Sequence, residues 1–278
     1  MKKAITIFLI LFLTFCHSQN FEKQWNKVYD IEQDGLISSA NDLVLKIYEK
    51  AKKKQDEAQV IKCFFFSSKY LMQLDEDAQT KIITNLQHEM QQGSAGSKAI
   101  FTIIYIESLN SYLDNNRYNL LKRTALENHE NGDFTTWNAK NFEDEIFKKC
   151  QDLIAQKEVL ENISLEKYNI VFDYYSKSKL TKTSIYDYAI DQILNLYCNN
   201  SYYFDSYLYT FTKSYKKSLA VSQKEYNALQ FDTIQNEKLR TILNLFKYKP
   251  SNSNGITQEL ERLEYFTKHD IKKPLGYF

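Results

Sequence analysis

Apolar positions along the chain recur mostly at the spacing of one helix face, not at alternate residues. Leu43, Ile47, Tyr48 and Ala51 stand at i, i+4, i+5 and i+8, behind Ser38-Ser39, which suit an N-cap. Val60, Cys63, Phe64 and the aromatic residues up to Tyr70 predict the next helix. Ile82, Ile83, Leu86 and Met90 predict another, behind the acidic turn Asp75-Glu76-Asp77, whose charge complements a helix dipole. Gly93-Ser94-Ala95-Gly96-Ser97 should end it, and Ile100, Ile103, Ile104, Ser108 and Tyr112 carry a further long one. The polar stretch 120–138, with Asn131-Gly132-Asp133, reads as a loop. Helices are expected again over 141–155, 165–177, 184–197, 223–246 and 257–269. Residues 199–220 are dense in Tyr and Phe and show no clear period.

Helices of this length joined by short polar turns predict an all-α protein, an irregular α-solenoid-like array of stacked helical hairpins. The tetratricopeptide pattern of Trp, Leu-Gly and Tyr at set offsets is absent, so no consensus repeat is expected. Composition agrees. The chain holds 6 Gly and 2 Pro, where average usage would give roughly 19 and 14. All-β folds and nucleotide-binding βαβ folds use those residues in turns and phosphate loops, so both are disfavoured. One helical domain over 19–278 is expected, with a possible sub-boundary in the loop 121–140.

The first residues read as an address. Lys2-Lys3 form a basic start, Ala4 to Phe15 an apolar run, and Cys16-His17-Ser18-Gln19 a small-residue site for cleavage after Ser18. The run is too short for a membrane span of about 20 residues. Bulky Phe15, where lipid-processing signals want a small residue, argues against acylation of Cys16. The expectation is an exported chain of the periplasm or cell envelope of a Gram-negative bacterium, with no transmembrane segment after cleavage. The full chain carries 36 Lys and Arg against 35 Asp and Glu. Losing residues 1–18 removes Lys2 and Lys3 and no acid, so no charge excess steers it toward nucleic acid. Cys63, Cys150 and Cys198 remain, an odd number that leaves at least one thiol unpaired. Cys63, inside Val60-Ile61-Lys62-Cys63-Phe64-Phe65-Phe66, reads as a buried small hydrophobe.

Candidate chemistry is sparse. His88-Glu89 lacks the second histidine four residues on that a helical zinc site needs, and no metal site is expected. His129-Glu130-Asn131-Gly132-Asp133 lacks the alternating acids of a calcium loop. Glu143-Asp144-Glu145 could supply half of a carboxylate pair, but acids near a helix start suit the dipole. The basic run Lys50, Lys52, Lys53, Lys54 is most simply an exposed helix end. No Gly-rich phosphate loop or nucleophile elbow occurs, so neither a cofactor nor a catalytic residue is assigned. The chain holds 21 Tyr and 18 Phe. Tyr202, Tyr203, Phe204, Tyr207 and Tyr209 are the candidate binding residues, a sticky stretch for peptide or glycan, against the plainer reading of core packing.

A resemblance emerges from segments taken in order: Phe21-Glu22-Lys23-Gln24-Trp25-Asn26-Lys27-Val28, Gly35-Leu36-Ile37-Ser38-Ser39-Ala40, Ile47-Tyr48-Glu49-Lys50-Ala51 and Gln59-Val60-Ile61-Lys62. Asn116-Arg117, Asp133-Phe134-Thr135-Thr136-Trp137, Ile185-Tyr186-Asp187 and Glu259-Leu260-Glu261-Arg262-Leu263-Glu264-Tyr265 continue it. Together they resemble the helical N-terminal region of the large exported alpha-2-macroglobulin-like proteins of Bacteroidetes-type bacteria. The resemblance implies a helical region ahead of macroglobulin domains that as a class trap proteases, so the implied partner is a protein: such domains or a protease. No Cys-x-Glu-Gln thioester motif occurs, and the chain is expected to be a stand-alone, truncated or split version of that region. The functional expectation is a non-enzymatic interaction module. One alternative is a cell-envelope hydrolase of helical fold using paired carboxylates; a second is an envelope lipoprotein that binds peptide or glycan.

Overall fold

The computed structural model describes residues 21–124, 133–172, 183–199, 219, 221–249, 259–260 and 262–263. The fold is all-α: 79% of the described residues are helical, and none of them forms a strand. In chain order the helices are α1 (21–33), α2 (Ile37–Lys54), α3 (Glu57–Leu74), α4 (Ala78–Glu89), α5 (Ala95–Leu120), α6 (Ala139–Ala155) and α7 (Lys157–Leu160). They continue with α8 (Asn169–Phe172), α9 (Ile185–Asn199), α10 (Gln223–Ala228) and α11 (Glu237–Leu245), with 3-10 turns at Phe134–Thr136 and Leu165–Tyr168. The described residues form two compact units, 21–101 with 167–172, and 102–166 with 183–263; the division falls inside α5, after Phe101.

The first unit is a stack of hairpins. Phe21, Trp25 and Val28, spaced i, i+4 and i+7, bury one face of α1. Ala40, Val44, Ile47 and Ala51 do the same for α2. Gly35, at φ +76°, turns the chain between them, a conformation that costs glycine nothing. Trp25 packs on Phe66 of α3 with ring centroids 4.8 Å apart, and its indole N–H donates to Gln59 at 2.7 Å. Phe64 in turn meets Phe101 of α5 edge-on at 5.4 Å. The leading helix of each hairpin therefore stacks on the next leading helix, and the trailing helices α2 and α4 meet through Tyr48, Lys52 and Glu89. Helix α8 packs against α3.

The second unit is organised around aromatic and capping contacts. Asp133 accepts the Thr135 amide at 2.9 Å and starts the 3-10 turn that seats Phe134 against Tyr112, centroids 5.5 Å apart. Asn138 then caps α6 in a reciprocal box with Asn141. Trp137 and Phe142 pack edge-on at 5.2 Å. Asp187 in the first turn of α9 accepts the backbone amides of Thr183 and Ser184, and the Tyr248 hydroxyl at 2.8 Å. Buried Arg262 donates to the carbonyls of Leu219 and Val221 and to the Gln223 side chain, and lies over the Tyr226 ring.

Several expected boundaries shift. Helix α2 starts at Ile37, after Leu36, which makes no side-chain cap; Ser38 and Ser39 lie inside the first turn. Of the five residues Gly93 to Ser97, only Gly93 and Ser94 lie in the joint before α5, whereas Ala95, Gly96 and Ser97 are already helical. The helix expected over 223–246 is two, because Asn236 caps a fresh start by accepting the Leu239 amide, and Phe231 is buried in the break. The helix expected from 165 begins as a 3-10 turn before α8. The apolar spacing predicts neither helix α1 nor the short α7.

Candidate functional site

Glu57, the first residue of α3, collects donors from two separate stretches of chain in the first unit. Asp56 caps this start by accepting the Gln59 amide, which leaves the Glu57 side chain to project from the first turn. Its Oε1 accepts the Ser94 amide at 2.6 Å and the Ser97 hydroxyl at 3.3 Å. Its Oε2 accepts the Ser94 hydroxyl at 2.8 Å, the Lys167 ammonium at 2.7 Å and the Tyr168 hydroxyl at 3.1 Å. Burial alone pushes this carboxyl up, but the hydrogen bonds from Lys167 and Ser94 prevail and hold it at about 2. The same contact raises Lys167, so the pair stays ionised on both sides near neutrality. Gly93 makes the approach possible: at φ +82°, an added Cβ would fall 2.3 Å from Ser97 Oγ and 3.3 Å from Glu57 Oε1.

A second carboxylate, Glu89, ends α4. It follows Leu86 by three residues, so it lies on the apolar face and is only 5% exposed. Its Oε1 accepts the Tyr48 hydroxyl and the Lys52 ammonium, the latter at 3.0 Å. Burial, then the adjacent Glu89 carboxylate, push the Tyr48 hydroxyl far above its ordinary value. Lys52 also reaches Gln92 at 3.1 Å. No described residue donates to Glu89 Oε2.

Glu57 and Glu89 line one cleft of about 560 Å³, with Lys52 and Lys167, Gln55 and Gln92, and apolar Val60 and Phe101. That volume lies in the range of small-molecule sites. Glu89 also lines a smaller neighbouring cavity of about 250 Å³, which includes Cys63 and Phe64.

Of the residues singled out from sequence, Lys52 and Glu89 line this cleft. Tyr202, Tyr203, Phe204, Tyr207 and Tyr209 lie outside the described residues, as do residues 1–20, His129 and the Cys198 side chain. Cys63 and Cys150 are free, buried thiols; burial raises Cys150 to about 12 and Cys63 further still. Glu143, Asp144 and Glu145 sit beyond the first turn of α6 and face lysines: Lys238 at 3.8 Å from Glu143, Lys140 beside Asp144, Lys149 at 3.5 Å from Glu145. Lys52, expected only as an exposed helix end, is the counter-ion of Glu89. No group of His, Cys, Asp and Glu among the described residues could hold a metal ion. No described helix is long and apolar enough to cross a membrane. Compared with protein-family models, with curated proteins and with solved structures, the chain matches none.

Proposed function

We propose that the protein is a non-enzymatic interaction module that holds a partner without transforming it. The observation that supports this reading is the closed state of Glu57 in the cleft. Glu57 has five donors and a pKa near 2, so it neither gives nor takes a proton near neutrality. Glu89 is tied to Tyr48 and Lys52. On the resemblance to macroglobulin-like proteins, such a module would be exported to the envelope and its partner would be a protein, either macroglobulin-type domains or a protease.

A second reading, a helical hydrolase, is favoured by one specific observation: two carboxylates, Glu57 and Glu89, face the same cleft. Acid–base work by such a pair needs one acid whose pKa is raised toward neutrality. Glu57 is displaced the other way. The decisive experiment is a panel of chromogenic glycoside, ester and peptide substrates with the purified chain and its Glu57→Gln and Glu89→Gln variants. Absence of turnover in all three is expected. Robust turnover abolished by either substitution would overturn the binding-module reading in favour of the hydrolase.

A further inference from the structure

We propose that the cleft between the ends of α2 and α4 and the starts of α3 and α5 binds a neutral, polyhydroxylated ligand, a mono- or disaccharide unit, through Glu89 Oε2 and the Gln55 amide. This rests on the cleft being a binding site and not a catalytic one, and it names the ligand class.

Glu89 is the pointer. Its residue is 5% exposed and one of its oxygens is fully used. Oε2 receives nothing from the described residues, yet it is not among the sealed polar atoms of the interior. Glu89 lines the cleft, and its Oε2 is an acceptor that no described protein donor occupies. Across the cleft the exposed Gln55 amide likewise makes no bond to the described residues.

Charge then selects the ligand. The lining carries Lys52 and Lys167 against Glu57 and Glu89, so the cleft has no excess of either sign. Each ion is already matched: Lys52 with Glu89 at 3.0 Å, Lys167 with Glu57 at 2.7 Å. A phosphate would meet two carboxylates. An ammonium directed at Glu89 would meet Lys52. Either charged ligand must strip a partner from a partly buried ion, which is strongly unfavourable. A hydroxyl can donate to Glu89 Oε2 without disturbing either pair, and it can accept from the Gln55 amide. The apolar C–H face of a sugar ring suits the Val60 and Phe101 side of the cleft.

The test uses the whole chain on an array of neutral glycans, followed by calorimetry with cellobiose, maltose and chitobiose, and with glycylglycine and inorganic phosphate as charged competitors. Two variants probe the contacts. Gln55→Gly removes the amide at a residue whose φ is +55°, so it relieves backbone strain and should not unfold the protein. Glu89→Gln removes the open acceptor charge, with its fold checked by circular dichroism. Saturable binding of a neutral glycan is expected, weakened about threefold to tenfold by Gln55→Gly, as for one lost hydrogen bond. Turnover is not expected; if a glycoside is cleaved, the binding-module reading fails while the ligand class stands. No binding to any neutral glycan at millimolar concentration would overturn the proposal. So would saturation by glycylglycine or phosphate in preference to every glycan, or a Gln55→Gly variant that binds like the parent.

Discussion

Lys167 places its ammonium 2.7 Å from Glu57 Oε2 although 110 positions separate the two residues. The contact holds the 3-10 turn ahead of α8 and the start of α3 to the Gly93-Ser94 joint through a single carboxylate. Replacing Glu57 by Gln removes the charge and leaves several donors without a full partner. Unfolding in urea should show a loss of about 1–3 kcal/mol at neutral pH. The pH dependence has a definite sign. The folded carboxyl titrates at about 2, below its ordinary value of 4.5. Its contribution is therefore complete above 4.5 and disappears as the pH falls toward 2. The gap in stability between parent and Glu57→Gln should narrow through that window. A gap that stays constant from neutrality to pH 2 would contradict the assignment.

Gly35 and Gly93 share a left-handed backbone but differ in their surroundings. An added Cβ at Gly35 meets nothing within 4 Å, whereas at Gly93 it lies 2.3 Å from Ser97 Oγ. Gly35→Ala should cost about 1 kcal/mol from backbone strain alone. Gly93→Ala adds a clash beside Glu57 and should cost more, with a lower melting temperature than Gly35→Ala. Equal losses would mean that Ser97 simply rotates away.

Arg262 is fully buried and has three acceptors arranged around its guanidinium: the carbonyls of Leu219 and Val221 and the Gln223 side chain. Lysine cannot span that fork or stack on Tyr226 in the same way. Arg262→Lys should destabilise the second unit by about 2–3 kcal/mol, read as a lower urea midpoint. A variant as stable as the parent would show that these contacts are dispensable.

The helical class of the fold and the faces of α2, α3 and α9 are readable from residue spacing alone, because each buries one continuous stripe. Breaks without glycine or proline are not. Leu239, Ile242 and Leu243 keep a helical spacing of their own, and the new start is marked only by Asn236 ahead of Glu237. The cleft was still less legible. Glu57, Ser94 and Lys167 come from segments with no local motif, and only stacking of the hairpins brings them together. Glu89 did leave a trace: a carboxylate three residues after Leu86, on the core side of an amphipathic helix.

The two buried thiols should be inert in the folded protein. Burial raises Cys150 to about 12 and Cys63 above that, so neither forms appreciable thiolate near neutrality. Peptides containing Cys63 and Cys150 should stay unmodified by iodoacetamide under native conditions and become fully modified in denaturant, by mass spectrometry. Rapid native labelling of either would show that its helix opens.

Central to a binding cleft without acid–base chemistry is a Glu57 held as an anion by its neighbours. Carbon-detected NMR titration of the side-chain carboxyl groups, with Glu57 assigned through the Glu57→Gln variant, measures this directly. A midpoint near 2 for Glu57 is predicted. A midpoint at or above 4.5 would contradict it and return Glu57 to the role of a working acid or base.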